Sequence, residues 1–356
     1  MIESPWIGYL LSLAAAGLVS LVLTPLAIRT AIRHDILDRP AGHKSHDTPT
    51  PYLGGLAMLF AFMATVVAAA ALRPTTGGLT ALLTILGLGL LLALVGLADD
   101  VRGLGLTVRF GAQILAGVGL WLVDIGVGVT QILWLDLLIT VVWVVGITNA
   151  MNLLDNMDGL SAGIATIAAM SFGIIGAING QILVASLAFA LAGCAAGFLR
   201  HNRPPARIYM GDAGSLFLGV MLASVGIKLE FATHPVIAAL VPILVLTVPV
   251  MDTSLVVVAR LKHGLSPFRG GRDHISHRLV HIGLPVPIAV LLISVAGVAH
   301  GWMALVVSRL DLVSALMAAG LTFALDALLF VLLAKVPVYD NSRGPDLVIS
   351  PRSLAG

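Results

Sequence analysis

Residues 79–100 read LTALLTILGLGLLLALVGLADD, twenty positions without a charge closed by two adjacent carboxylates, Asp99 and Asp100. As a helix such a run rises about 30 Å, the thickness of a bilayer's hydrocarbon core. The pattern recurs along the chain. Eleven apolar stretches, at about 6–29, 51–73, 79–98, 109–123, 131–148, 159–178, 181–199, 213–231, 235–259, 285–309 and 312–336, leave little between them. The stretch at 109–123 is the shortest. With 58% hydrophobic and 11% charged residues and a mean hydropathy of +1.03 over 356 residues, an ordinary soluble domain is excluded. The expected fold is an all-α polytopic membrane bundle of about eleven transmembrane helices. One membrane domain covers 1–336, and a polar, disordered cytoplasmic tail covers 337–356. The first stretch is expected to remain as a span, since no Lys or Arg precedes it and no small-residue cleavage site follows. Cys194, the only cysteine, lies inside the seventh stretch, which excludes a disulfide and a cysteine metal site.

Charge is segregated. If the eleven stretches alternate across a membrane, one set of loops and helix ends holds 17 of the 20 Lys and Arg, the exceptions being Arg73, Lys228 and Arg309. Short-loop positive charge sets orientation, so the N-terminus is expected outside and the basic face in the cytoplasm. The same face holds 12 of the 18 acidic residues. Charges near lipid are costly unless paired, hydrated or bound to metal. A face that gathers carboxylates, amides, imidazoles and glycines therefore reads as a metal-assisted phosphate site.

Four blocks carry that reading. Asp99 and Asp100 repel one another unless a cation or proton intervenes, although a solvated helix end near Arg102 and Arg109 is the simpler alternative. Asn149, Asn152, Asp155 and Asp158 recur every third residue, an oxygen-bearing stripe suited to a hard cation if the helix continues through them. Tyr209-Met210-Gly211-Asp212-Ala213-Gly214-Ser215 precedes the eighth stretch, where glycines and helix-start N–H groups favour an anion or metal-bridged anion; Asp212 could equally be an N-cap. His274, His277 and Arg278 bring three donors within five residues, and an intramembrane Asp252 lies upstream. In the first loop Lys44 and His46 are candidate phosphate contacts, while Gly54 and Gly55 allow close packing where the chain enters the membrane. Asp136 and Asp326 lie away from this face and read as structural.

Together and in this order, these blocks resemble the polyprenyl-phosphate N-acetylhexosamine-1-phosphate transferase family, glycosyltransferase family 4, over residues 38–279. The nearest likeness is to the bacterial undecaprenyl-phosphate GlcNAc-1-phosphate transferases. The resemblance implies Mg²⁺ (Mn²⁺ would also serve) on Asp212 with Asn152 beside it. It implies Asp99 and Asp100 at the lipid phosphate, with Asp155, Lys44 and His46 among the catalytic groups. Asn156, Met157 and Asp158 would meet uracil, Tyr209 would stack on it, and Asn202 would add a hydrogen bond. His274, His277 and Arg278 would contact diphosphate and sugar, and Arg109 is a further substrate contact. The chain departs from the family pattern at Ser276, where the subgroup has its middle histidine, and at Asn156, which replaces a glycine.

The implied partners are a UDP-N-acetylhexosamine, a polyprenyl phosphate and the bilayer of a bacterial inner membrane; no nucleic acid is expected, and a homodimer is allowed. The implied products are UMP and a lipid-diphosphate sugar. A UDP-MurNAc-pentapeptide donor is the alternative within the family. An ion-coupled transporter is the alternative outside it, but a transporter places its ionisable groups near the midplane, whereas these gather at one face.

Overall fold

The computed structural model describes residues 5–39, 49–72, 78–231 and 234–339. Among them are thirteen helices: α1 (Pro5–Arg33), α2 (Gly54–Leu72), α3 (Leu79–Arg102), α4 (Leu106–Trp121), α5 (Leu133–Leu154), α6 (Leu160–Ile178), α7 (Ile182–Asn202), α8 (Gly211–Lys228), α9 (Pro235–Val245), α10 (Thr247–Lys262), α11 (Ile275–His281), α12 (Val286–Val307) and α13 (Leu312–Ala334). The only sheet among the described residues is a two-residue antiparallel pair, β1 (Leu37–Asp38) and β2 (Thr50–Pro51), with Leu37 opposite Pro51 and Asp38 opposite Thr50.

Every apolar stretch is helical, but they are not eleven equal spans. Nine helices are individually long and apolar enough to cross a membrane. The stretch at 109–123 forms α4, which at 16 residues falls short of the usual spanning length. The expected straight span at 235–259 is broken into α9 and α10, bent by 71°. Proline explains the break: Pro249 has no N–H to offer the carbonyl of Val245, and Pro242 removes another donor within α9.

Helices in lipid gain little from hydrophobic burial against one another, so close contact depends on small residues. Gly193 and Gly197 on α7 show this against α1. A Cβ on Gly193 would come within 2.2 Å of the Leu13 carbonyl oxygen, and one on Gly197 within 2.2 Å of that of Gly17. Helix α8 is the axis of the bundle, with 78% of its most apolar window buried against 11% for α13 at the edge. It approaches α3 at Gly96, where a Cβ would meet the Asp212 carbonyl oxygen at 2.3 Å, and α5 at Gly219, beside Thr148 Cα at 2.6 Å. These approaches bring the polar ends of α3, α5 and α8 together. That convergence builds the site.

Past α13 the chain stays packed for a few residues: Val338 and Tyr339 are buried, and the Tyr339 hydroxyl bonds Asp273. The expected tail therefore has two core residues just after its first, Pro337. Residues 340–356 of that tail, and Lys44 and His46, lie outside the described residues.

Candidate active site

Helix α8 begins without a side-chain cap of its own, because Met210 occupies the N-cap position. Asp100 of α3 supplies the cap from a neighbouring helix, accepting the N–H groups of Asp212 at 2.9 Å and Ala213 at 3.1 Å. A carboxylate there satisfies orphan donors and complements the helix dipole. Gly211, with φ +67°, leaves room for it, since a Cβ would lie 2.5 Å from Asp100 Oδ2. Asp212 itself is not the N-cap but sits in the first turn. The adjacent pair is thus divided: Asp100 caps α8, while Asp99 takes an ion pair from Arg109 Nη1 at 2.9 Å.

The same Arg109 nitrogen reaches Asp212 Oδ2 at 2.8 Å, and Asn152 Nδ2 donates to Asp212 Oδ1 at 2.8 Å. Asn152 also donates to Ser215 Oγ at 2.8 Å, which leaves its Oδ1 for another partner. The every-third-residue stripe does not survive as a helical face, because α5 ends at Leu154. Asn149, one turn earlier, bonds Gln113 and the Val145 carbonyl instead. Asp155 caps the end of α5 and turns into a pocket of about 500 Å³. No hydrogen bond holds its carboxylate among the described residues. Burial, reinforced by the charges of Asp212, Asp100 and Asp158, pushes its pKa up to about 8.

The pocket is lined by Asp38, Tyr52, Asp100, Asn152, Asp155, Asn156, Met157, Asp158, Asn202, Tyr209, Asp212, Arg272 and His277, among others. Its floor is held by backbone. Gly54 and Gly55 donate to the Tyr209 and Met210 carbonyls at 3.0 Å each, and Tyr209 N–H donates to Pro51 at 2.8 Å. A Cβ at Gly55 would lie 2.2 Å from Gly214 N, which is why glycines stand there. Asp158 accepts the Ala206 N–H at 2.8 Å. Asn202 lines the pocket, and its amide accepts the Gly159 N–H at 3.0 Å and donates to the Ile208 carbonyl at 2.9 Å. These bonds tie the loop after α5 to the loop after α7 and leave the amide one N–H and one lone pair for a further partner.

The histidine loop divides likewise. His277 lines the pocket, but His274 does not: it is 3% exposed and bonds Asp252 at 2.7 Å, and Asp252 also accepts the Ile275 N–H at 2.7 Å. Asp252 is therefore an anchor for α11. Arg278, expected at the diphosphate, is 1% exposed and donates to the carbonyls of Asp273, Leu333 and Val336 at 2.9, 3.0 and 2.9 Å. Asp273 beside it is held by Arg260 at 2.8 Å. Arg278 thus packs inward, against the expectation of a pocket contact, because spacing alone does not tell which side of the turn before α11 meets solvent. Arg272 faces the pocket. Tyr52 was also missed as a lining residue; its hydroxyl donates to the Asp100 carbonyl at 3.0 Å. Of the supposed structural acids, Asp136 accepts the N–H and hydroxyl of Thr130, and Asp326 bonds His300 between α12 and α13.

Among the described residues no three His, Cys, Asp or Glu side chains converge closely enough to cage a metal. Magnesium does not require this, since it takes one or two carboxylates and completes its shell with phosphate and water. The donor chemistry fits. Asp99 and Asp212 share the single guanidinium of Arg109, which leaves net negative charge between them, Asp100 lies against the backbone of Asp212, and Asn152, with its oxygen spare, sits beside Asp212.

A polytopic bundle with a carboxylate-rich pocket at the ends of its central helices defines a class of membrane enzyme. The glycosyl transferase family 4 model matches residues 82–230. A probable undecaprenyl-phosphate N-acetylglucosaminyl 1-phosphate transferase of Bacillus subtilis is 31% identical over 309 residues, 83% of this chain and 84% of its own. A decaprenyl-phosphate N-acetylglucosaminephosphotransferase of Mycolicibacterium smegmatis is 35% identical over 318 residues, 79% of this chain and 78% of its own. A phospho-N-acetylmuramoyl-pentapeptide-transferase of Bacillus cytotoxicus is 33% identical over 247 residues, covering 63% of this chain and 76% of its own. The chain belongs to glycosyl transferase family 4.

Proposed function

We propose that this protein transfers N-acetylglucosamine 1-phosphate from UDP-GlcNAc to a polyprenyl phosphate, giving a lipid-diphosphate sugar and UMP at the cytoplasmic face of a bacterial plasma membrane. The observation that carries the reading is the pocket itself, polar, about 500 Å³, and walled by carboxylates at the ends of membrane helices. A water-soluble nucleotide sugar can enter it while a lipid phosphate stays in the bilayer. Orientation rests on the bias of Lys and Arg toward the loops on the pocket side. The GlcNAc donor is favoured over the MurNAc-pentapeptide donor because relatives named for GlcNAc align over more of the chain.

In this reading an oxygen of the lipid phosphate attacks the phosphorus that carries the sugar, and the bridge to UMP breaks. The acceptor is already an anion, so direct attack needs positioning more than a strong base. Asp212 and Asn152 would hold Mg²⁺, with Mn²⁺ a substitute. When bound, the ion neutralises the diphosphate and the leaving UMP. Arg109 keeps Asp99 and Asp212 in register, and Asp100 fixes the start of α8. Asp155 stands free to orient or deprotonate the acceptor. Tyr209 offers an aromatic face and Met157 and Asp158 a wall for the base, with Arg272 as a cation lining the same pocket. A panel of UDP-sugars assayed for UMP release by purified protein tests the donor. GlcNAc should turn over at least tenfold faster than other hexosamine donors, and a preference for MurNAc-pentapeptide would replace the assignment.

A further inference from the structure

The two positions at which this chain departs from its family's pattern touch one another. Ser276, in the first turn of α11 and fully buried, lies with Oγ 2.6 Å from Asn156 Oδ1, and 3.3 Å from His277 Nδ1. The protons in this trio follow from the geometry. Asn156 Nδ2 donates to the Leu153 carbonyl at 2.8 Å, so the atom turned toward Ser276 is the amide oxygen. An amide oxygen only accepts, and Ser276 therefore spends its single hydroxyl proton on it. Toward His277 the serine has only lone pairs left. Two lone pairs do not face each other in a stable contact, so the proton on this imidazole sits on Nδ1.

We propose that the Ser276–Asn156 hydrogen bond fixes His277 in the Nδ1–H tautomer, so that Nε2 meets the ligand as an acceptor and reads a hydrogen-bond donor of the sugar, a hydroxyl or the acetamido N–H, rather than a phosphate oxygen. The inference rests on the transferase reading above and assigns this wall of the pocket to the sugar. His277 lines the pocket, and Nε2 has no protein partner among the described residues. Burial, aided by the positive character of His274 and Arg272, holds the imidazole down at about 4, so it is neutral at working pH. A neutral acceptor nitrogen repels diphosphate oxygens, which bear no proton at that pH. Sugar O–H and N–H groups satisfy it.

Calorimetric titration of the detergent-solubilised full chain with UDP and with UDP-GlcNAc separates the possibilities. His277→Ala should weaken UDP-GlcNAc binding by about fivefold to tenfold, the worth of one hydrogen bond, and leave UDP binding unchanged. His277→Gln, which retains an acceptor, should recover part of the loss. In ring-nitrogen NMR of labelled histidine, assigned by difference against His277→Gln, Nδ1 should carry the proton; in Ser276→Ala that preference should relax. Equal weakening of UDP and UDP-GlcNAc in His277→Ala, or a proton found on Nε2 of the wild type, overturns the inference while leaving the transferase reading intact. Wild-type protein that binds neither nucleotide overturns both.

Discussion

Asp155 is the residue on which charge accounting in the pocket turns. Its pKa is raised to about 8, whereas an unfolded aspartate titrates near the ordinary carboxylate value. The folded protein therefore holds a proton that the unfolded chain has lost. Stability from this group is complete below the unfolded value and is lost as pH rises through the folded one. Without divalent cation, the melting temperature should fall as pH rises from about 5 to about 8, and Asp155→Asn should flatten that slope. An unchanged slope in the variant would show that another group carries it. Asp212 is the second test. Asp212→Asn keeps the size but loses the charge, and should lower turnover at least a hundredfold with Mg²⁺ while the melting temperature moves little; near-normal turnover would remove Asp212 from metal binding. Tyr209, whose phenol is pushed up to about 12 by burial and then by Asp158, lines the pocket beside the loop after α5. Tyr209→Phe should be mild, and Tyr209→Ala should raise the donor KM about tenfold, the lower part of the base–aromatic stacking range. Equal effects of the two would point to the hydroxyl. The legible part at this scale was composition: Asp, Asn, Tyr and His blocks on one face. Direction was not legible. Asp100 and Asp252 became caps and Arg278 turned into the protein, because each found backbone groups that only the packed helices present, while His274 turned inward onto the Asp252 carboxylate.

At the scale of elements, small residues decide which helices touch. Gly193 and Gly197 admit α1, and Gly96 and Gly219 admit α3 and α5. Gly193→Val would force α1 away from α7 and should lower the melting temperature clearly, since overpacking costs about 1–3 kcal/mol. Gly87→Ala is the matched control: no atom lies within 4 Å of its Cβ position, so the change should be neutral or stabilising by roughly 0.5–1 kcal/mol through helix propensity. Similar losses from both would mean that these glycines serve helix flexibility instead. Arg278→Ala strips donors from three buried carbonyls, which cost about 1–3 kcal/mol each when left unsatisfied. It should therefore reduce the folded yield before it alters any KM. The helices themselves were legible because a run of some twenty apolar residues has few other fates. The break between α9 and α10 was signalled by Pro242 and Pro249, but hydropathy averages across a proline.

For the whole molecule, one arrangement explains both the apolar exterior and the polar pocket. Peripheral α1 and α13 present leucines outward, while the buried α7 and α8 flank the loop that holds Tyr209, and α8 carries Asp212 in its first turn. A phosphosugar transferase needs such a division, because its two substrates come from water and from lipid. The central claim is that the bond broken lies between the two phosphates of the donor, and isotope placement tests it most directly. Purified protein would be given polyprenyl phosphate, Mg²⁺ and UDP-GlcNAc labelled in the phosphate next to the sugar. The account predicts label in the lipid fraction, one UMP released per labelled lipid, and no release without lipid. Label recovered in free UDP would mean that the sugar alone is transferred. A lipid-independent burst of UMP equal to the enzyme would instead establish a covalent phosphosugar intermediate. Either result would contradict direct attack by the lipid phosphate on the sugar-bearing phosphorus.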